Sequence, residues 1–417
     1  MEKVVIVGGG IAGLICAIEL QALGISCVVL EAEGEVGGRV RTERFESFLL
    51  DRGFQILLAG YPWVQRYLDV EALDLKPVKS GALVWDGTKF QRLVDPVRHP
   101  SEIGDALSTP LLTWGDRLRL AALAATIYPQ APAALLAADE GLSTAAYLKN
   151  AKISEKAMGA FMRPFFGGIF LESSLTTASN YFKFLFKVFG TGAAGVPAKG
   201  MGEIPKQLAA RLPPGTIRLN AKVTAREGKS ITLASGEKLN PAALVCALDQ
   251  SAARALQLNT KKARRWHGSL TLYYAAKASP IAENILALNG SGKGLVNSVL
   301  ALTDVSPAYA ANGETLISVS IVDRAGLNLS DATAAASAEL KSWYGSRVDD
   351  WRLVKVLDLP ESLLAYEAGD APYLETTTAE PGVFLAGDLL TIPSQEGAAN
   401  SGRHAAEAVH KYLRENG

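Results

Sequence analysis

The sequence has little cysteine, histidine or methionine and no excess of either charge. Only three of its 417 residues are cysteine, and Cys16, Cys27 and Cys246 are odd in number and lie in apolar segments. That pattern excludes a disulfide framework and a thiolate metal centre, and it predicts reduced, buried thiols. The four histidines, His99, His267, His404 and His410, are scattered, so none announces a general acid or base, and no metal site is expected. Lys plus Arg and Asp plus Glu number 42 each, so overall charge does not point to nucleic acid or an acidic polymer as a partner. A membrane-spanning run is missing as well. Although 48% of residues are hydrophobic, the nearest candidate, Ala121 to Ala138, is mostly alanine and contains Pro129, Gln130 and Pro132. The first apolar run begins just after Lys3, which leaves no room for a targeting leader, and a cytoplasmic protein is expected. The length exceeds one ordinary core and predicts two domains, or one elaborated domain, able to bury a large cofactor.

What is present is concentrated at the start. Val4-Val5-Ile6-Val7 passes through Gly8-Gly9-Gly10-Ile11-Ala12-Gly13 into a helix-like segment ending near Gly24, and a second apolar run, Cys27-Val28-Val29-Leu30, stops at Glu31. Strand, glycine turn, helix and parallel strand with a terminal acid make the layout of a dinucleotide-binding βαβ unit. Gly8 serves the tight turn, Gly10 the approach of a pyrophosphate and Gly13 the packing of helix on strand. The helix start at Ile11 and Ala12 offers N–H groups and a positive dipole end to phosphates. Glu31, followed by Ala32, is placed to accept hydrogen bonds from ribose hydroxyls, and its charge disfavours a 2′-phosphate.

Farther on, Gly37-Gly38-Arg39 predicts a loop against phosphates, with Arg39 supplying charge-assisted hydrogen bonds. Phe48-Leu49-Leu50-Asp51 reads as a strand, and the following Gly53-Phe54 marks either close backbone approach to a ligand or a turn. Between Asp74 and Gly195 the pattern changes. A hairpin around Asp86-Gly87 precedes helical sequence from Arg117 to Tyr128 and Ala133 to Ala138. These helices read as a cap lining a cavity, a patch dipping into a bilayer surface, or plain core. Phe161 to Phe170 and Tyr181, Phe182, Phe184, Phe186 and Phe189 are dense in aromatics; core packing is the first expectation for them, and a large greasy substrate the second. Residues 216–219, 221–224, 230–233 and 243–246 predict a meander ending in a buried strand. Lys261, Lys262, Arg264 and Arg265 predict a solvated charge run. Leu270 to Tyr274, Leu295 to Leu300 and Leu316 to Ile321 predict a sheet with one buried face. Near the end, Val383 to Ala386 predicts a buried strand with Gly387-Asp388 at its tip. Gly397 to Gly402 then starts a closing helix whose small residues would admit a flat ring and whose dipole would stabilise negative charge. Asp388 is placed to bind sugar-like hydroxyls or to serve as a turn.

These blocks together resemble the FAD-dependent superfamily of flavin-containing amine oxidases, phytoene desaturases and protoporphyrinogen oxidases. The resemblance rests on Gly8 to Gly13 with Glu31, on Gly37-Gly38-Arg39, on Val223 through Cys246, and on Gly387-Asp388 with Gly397 to Gly402. It implies FAD as cofactor, an α/β fold with a Rossmann-type FAD-binding domain of the glutathione-reductase kind, and an interleaved α+β substrate domain with a helical cap. The expected division is residues 1–73, 196–252 and 372–417 for FAD and 74–195 and 253–371 for substrate. It also implies Arg39 near the pyrophosphate, Gly53 and Phe54 near the ring, Val223 at the adenine, Asp388 at the ribityl chain, and Gly397-Ala398 at the pyrimidine edge. Arg163-Pro164-Phe165-Phe166-Gly167-Gly168 resembles the protoporphyrinogen oxidase and carotenoid desaturase side. Leu359 to Tyr366 carries no aromatic pair of the kind the amine-oxidising branch presents. The expected reaction is hydride removal, onto flavin N5, from a small hydrophobic substrate that is conjugated or isoprenoid- or porphyrinogen-like. An amine oxidase, a redox-neutral isomerase and a non-catalytic FAD-dependent binding protein are the alternatives. Arg163 and Tyr274 are minor pocket candidates with structural roles expected for both, and contact with a membrane surface is an expected option.

Overall fold

The apolar run Val4–Val7 (β1) becomes the centre of a five-stranded parallel sheet in the computed structural model, which describes residues 3–416 apart from 54, 139, 261, 324–325, 377 and 379. Strand order is Ile217–Arg218, Cys27–Leu30 (β2), β1, Leu244–Ala247 and Val383–Ala386, all parallel. All four residues of β1 are buried, as expected for a parallel strand covered on both faces. Helix α1 (Ile11–Ala22) returns the chain from β1 to β2 and is itself buried along nearly its whole length. Its cover is the closing helix Gln395–Asn416. The two approach so closely at Gly402 that a Cβ there would lie 2.2 Å from the carbonyl oxygen of Ala12.

The expected four-strand meander is corrected in part. Val223–Glu227 and Ser230–Leu233 form it with a third strand, Lys238–Leu239, but Ile217–Arg218 joins the parallel sheet beside β2. The Arg218 carbonyl there accepts the Glu31 N–H at 2.9 Å, so this strand steadies the tip of β2.

A seven-stranded sheet stands apart, ordered Arg352–Leu364, Trp266–Ala276, Thr315–Ile321, Ser298–Ala301, Leu286–Asn289, Gly81–Trp85 and Phe90–Val94. Leu286–Asn289 and Gly81–Trp85 run parallel, whereas the other pairs are antiparallel. Buried Asp51 pins the two parts together. One carboxylate oxygen accepts from the Thr42 hydroxyl and the Met201 N–H, the other accepts from the Tyr309 hydroxyl, and the Asp51 carbonyl accepts from Tyr273.

Helices Trp114–Ile127, Pro132–Ala137 and Ser179–Thr191 form the layer between Asp74 and Gly195. The aromatics of this layer pack on one another. Phe166 meets Phe182 at 4.7 Å between centroids, Phe165 meets Phe189 at 5.2 Å, and Tyr61 stacks on Phe184 at 5.8 Å. Core packing therefore accounts for them. Tyr274 bonds to Ser337 and packs on Trp351, and Arg163 lies 3.6 Å from Glu155, structural roles in both cases. The three thiols are free, as expected, although Cys27 is only half-buried. Burial pushes Cys27 up to about 11 and Cys246 up to about 12, so both stay protonated. No helix among the described residues is long and apolar enough to cross a membrane.

Candidate cofactor site

Each glycine of the first turn has a distinct geometric reason. Gly8 has a φ of +109°, and a Cβ there would meet the Ala247 carbonyl oxygen at 2.3 Å; at Gly13 a Cβ would lie 1.9 Å from the Gly8 carbonyl oxygen. These two hold α1 against the sheet. Gly10 differs, because its φ of −77° suits any residue and a Cβ there would find no neighbour nearer than the Gly37 carbonyl oxygen at 4.0 Å. Gly38 faces it, with its own Cβ position 3.7 Å from the Gly10 Cα. The turn carrying Gly38 is fixed by the Gly37 N–H, which donates to the Gly9 carbonyl at 2.9 Å.

The slot between Gly10 and Gly38 opens at the start of α1, which has no side-chain cap and no acid in its first turn. Backbone N–H groups of Ile11, Ala12 and Gly13 and a positive dipole end thus remain for an anion. A diphosphate suits this cradle in charge, and the Gly10 Cβ position is open, with no neighbour nearer than 4.0 Å. At the tip of β2, Glu31 is buried. Its Oε2 accepts the Gly9 N–H at 2.8 Å and its Oε1 accepts the Glu33 N–H at 2.9 Å, which orients the carboxylate and leaves lone pairs for hydroxyl donors. Ala32 is exposed beside it. The Glu31 carbonyl accepts the Ala221 N–H at 2.8 Å, which brings Val223 to this end, in an apolar cluster with Leu30 and Leu248.

Arg39 crosses from the glycine loop to the far strand tip. Its Nη2 donates to Asp388 Oδ1 at 2.6 Å, its Nη1 to the Ser362 carbonyl at 3.3 Å, and the guanidinium lies 5.7 Å from the Trp266 ring centroid. The Gly387 φ of +121° turns the chain into Asp388, and the Gly387 N–H donates to Ser401 of the closing helix at 3.0 Å. Gly397 and Ala398 sit in the first turn of that helix, where Ser394 caps both: its hydroxyl accepts the Gly397 N–H and its carbonyl accepts the Ala398 N–H. Gly53 is buried, and the side chains nearest its Cβ position are Leu359 at 3.0 Å, Thr271 at 3.9 Å and Ser269 at 4.0 Å. Phe54 lies outside the described residues. Among those residues no group of His, Cys, Asp and Glu could hold a metal.

Two residues beside the site were not legible in the sequence. Arg264 is buried and donates to the carbonyls of Asp388 and Thr391, with its guanidinium 5.6 Å from the Tyr366 ring, so the solvated charge run is corrected at this position. Lys261 of that run lies outside the described residues. Glu396 is buried next to Gly397, accepting from the Trp63 N–H at 3.1 Å and the Asn400 amide at 2.6 Å, and burial raises its pKa. No periodicity singles out either residue. Among the histidines, His404 packs edge-on against Tyr373 at 5.9 Å, and burial and Arg403 lower its pKa.

Comparison with known proteins identifies the family and the fold. Residues 11–410 match the family model described as flavin containing amine oxidoreductase. A structure of an oxidoreductase from Methanosarcina mazei shares the fold, with a TM-score of 0.74 over 98% of this chain and 100% of that one, at 18% identity. Coproporphyrinogen III oxidase of Propionibacterium freudenreichii subsp. freudenreichii is 26% identical over 176 residues, 40% of this chain and 31% of that protein. L-amino-acid oxidase of Crotalus adamanteus is 41% identical over 75 residues, 18% of this chain and 14% of that protein. The chain thus aligns with less than a third of either curated relative.

Proposed function

Because this chain belongs to the flavin containing amine oxidoreductase family and is an oxidoreductase with FAD as its cofactor, we propose that it removes hydride from a C–H bond of an apolar, conjugated substrate of the isoprenoid or porphyrinogen kind. Bound FAD supplies the electron-pair acceptor, at its N5. The chain supplies the rest. Glu31 accepts the adenosine ribose hydroxyls, Val223 borders the adenine, and the N–H groups at the start of α1, with Gly10, Gly38 and Arg39, hold the diphosphate. Asp388 accepts from the ribityl chain. Gly397 and Ala398 would border the pyrimidine edge, and the dipole of the closing helix would stabilise negative charge there.

In this reading the FAD-binding part comprises residues 1–73, 196–252 and 372–417, and the substrate part comprises 74–195 and 253–371. Support comes from strand membership. The parallel sheet draws its strands from all three of the former segments, and the seven-stranded sheet draws its strands from the latter two alone.

The observation that carries the substrate class is the composition around Gly53. Leu359, Thr271 and Ser269, the side chains nearest its Cβ position, are uncharged, one an alkyl group and two hydroxyls. Tyr366, the aromatic in the stretch from Leu359 to Tyr366, is buried, with its hydroxyl on the Asp370 carbonyl and its ring 6.0 Å from Tyr181. Its ring meets Tyr181 edge-on and lies 5.6 Å from the Arg264 guanidinium.

Anaerobic titration of the yellow protein with a porphyrinogen, a carotene, a quinol and an amine tests this reading. The long-wavelength flavin absorbance is expected to bleach with an apolar conjugated donor and to persist with amines. Bleaching by amines alone would replace the reading with an amine oxidase. Persistence with every donor would favour an isomerase or a binding role.

A further inference from the structure

The seven-stranded sheet carries a row of hydroxyls on one face. Thr271 on Trp266–Ala276 lies opposite Ser320 on Thr315–Ile321, and Ser320 lies opposite Ser298 on Ser298–Ala301, so three adjacent strands place one hydroxyl each in register. Strands stand about 4.8 Å apart, which gives the row a length of about 10 Å. Alternation decides which way it points. Leu272, Val299 and Ile321 pack into a core with Leu340 and Trp343 of the helix Leu329–Tyr344, whereas Tyr273, Leu288 and Leu300 join the core that holds Ile6 of β1 and Phe166 of the helical layer. Thr271, Ser298 and Ser320 each sit one residue from the former three, so they point the other way, toward the cofactor part. Gly53 fixes the same direction, since its Cβ position lies 3.9 Å from the Thr271 hydroxyl oxygen and 4.0 Å from that of Ser269.

The fold makes no use of these hydroxyls. Thr271 and Ser298 are buried, Ser320 is half-buried, and none of their hydroxyls has a hydrogen-bond partner among the described residues. Their neighbours are engaged: Ser269 meets the Ser362 hydroxyl at 2.9 Å, and Tyr273 donates to the Asp51 carbonyl at 2.8 Å. Buried polar groups are ordinarily paired, so buried Thr271 and Ser298, in register with Ser320, mark a surface whose partner comes from outside the chain. The positions that continue the row are apolar, Leu357 beyond Thr271 and then Leu288 and Val84 beyond Ser298. No charged side chain stands in it, so an ammonium or a carboxylate would lose hydration there without a counter-charge. Uncharged polar groups suit it, because a hydroxyl both donates and accepts. One end of the row reaches Gly53. At the other end Asn297, next to Ser298, donates to the Pro164 carbonyl at 3.1 Å, which ties that end to the helix Arg163–Phe170.

We infer, resting on the reading above for the flavin ring beside Gly53, that Thr271, Ser320 and Ser298 form a binding row for one edge of the conjugated substrate, an edge that carries uncharged hydrogen-bonding groups of the carbonyl, hydroxyl or pyrrole N–H kind. A bare hydrocarbon leaves the row unpaired and binds more weakly.

The test measures binding without turnover. The full, FAD-loaded chain in its oxidised form is titrated with a quinone, a porphyrin and β-carotene in one detergent, and the flavin difference spectrum reports each. The quinone or the porphyrin is expected to bind about tenfold tighter than the carotene, or better. Thr271→Val, which keeps the shape and deletes the hydroxyl, and separately Ser320→Ala are each expected to weaken that ligand about tenfold while leaving the carotene unchanged. Thr271→Ser keeps the hydroxyl and should keep the affinity. Because the Thr271 hydroxyl has no partner in the fold, the unfolding midpoint of ligand-free Thr271→Val should hold or rise, whereas loss of a structural hydroxyl would lower it. The row is overturned by a wild type that binds the carotene as tightly as either polar ligand or binds none of them, by variants that bind undiminished, or by variants whose ligand-free midpoint falls together with the affinity. Failure of the dehydrogenase reading looks different: the polar ligand binds through the row while no reduced donor bleaches the flavin, which sustains the row and removes the reaction.

Discussion

A Glu31→Arg protein is expected to purify without its flavin. The carboxylate sits where two backbone N–H groups, of Gly9 and Glu33, converge on it from opposite sides, and it is 8% exposed. An arginine there removes the acceptor for both and sets a cation against them, and it removes the acceptor proposed for the ribose hydroxyls. Hydrogen bonds to a charged acceptor contribute about 1.5–3 kcal/mol each, so losing the pair of ribose contacts weakens FAD by roughly a hundredfold or more. Glu31→Gln keeps the shape and one acceptor oxygen and should lose far less. Flavin absorbance of the purified protein, and quenching of flavin fluorescence on reconstitution, measure both. Normal flavin content in the arginine variant would refute the ribose contact.

Gly13→Ala should have the largest effect on folding. The added Cβ would lie 1.9 Å from the Gly8 carbonyl oxygen and 3.3 Å from the Ala247 Cβ, and the first of these is backbone in a turn with no slack. Either α1 leaves β1 or the Gly8 turn reshapes, and each disturbs the centre of the parallel sheet. Overpacking of a well-filled core costs about 1–3 kcal/mol, and a backbone clash belongs at or beyond the upper end. The midpoint of thermal unfolding is expected to fall by about 3 °C or more with and without flavin. An unchanged midpoint in the flavin-free protein would mean that α1 does not rest on the sheet in this way.

The parts of this molecule legible in sequence are those fixed by neighbours. β1, α1 and β2 lie where the glycine spacing puts them, because turn, helix start and strand are set within a few residues of one another. The strand Phe48–Asp51 and the hairpin of Gly81–Trp85 with Phe90–Val94 follow from the same short-range logic. What escaped detection depends on distant partners. Arg39 meets Asp388 across 349 residues, and Arg264 reaches Thr391 across 127. A buried arginine in a cluster of lysines and arginines reads as solvated until its carbonyl acceptors are in place. Ile217–Arg218 pairs with β2 for a similar reason: so short a segment suits either sheet, and only the fold selects one. The aromatics between Phe161 and Phe189 pack on one another, which is the first expectation for them, because a shared helical face is itself a short-range signal.

The most direct single test of where FAD binds is Gly10→Val, read as flavin content together with the unfolding midpoint of the flavin-free protein. Valine accepts the extended backbone of Gly10, and no protein atom lies within contact of its Cβ except the Gly37 carbonyl oxygen at 4.0 Å. The fold should therefore tolerate it, while the side chain fills the slot facing Gly38 where the diphosphate is proposed to lie. A flavin-free protein with a midpoint within about 2 °C of flavin-free wild type is expected. A folded Gly10→Val protein that keeps its full yellow colour would contradict the placement of FAD at the start of α1.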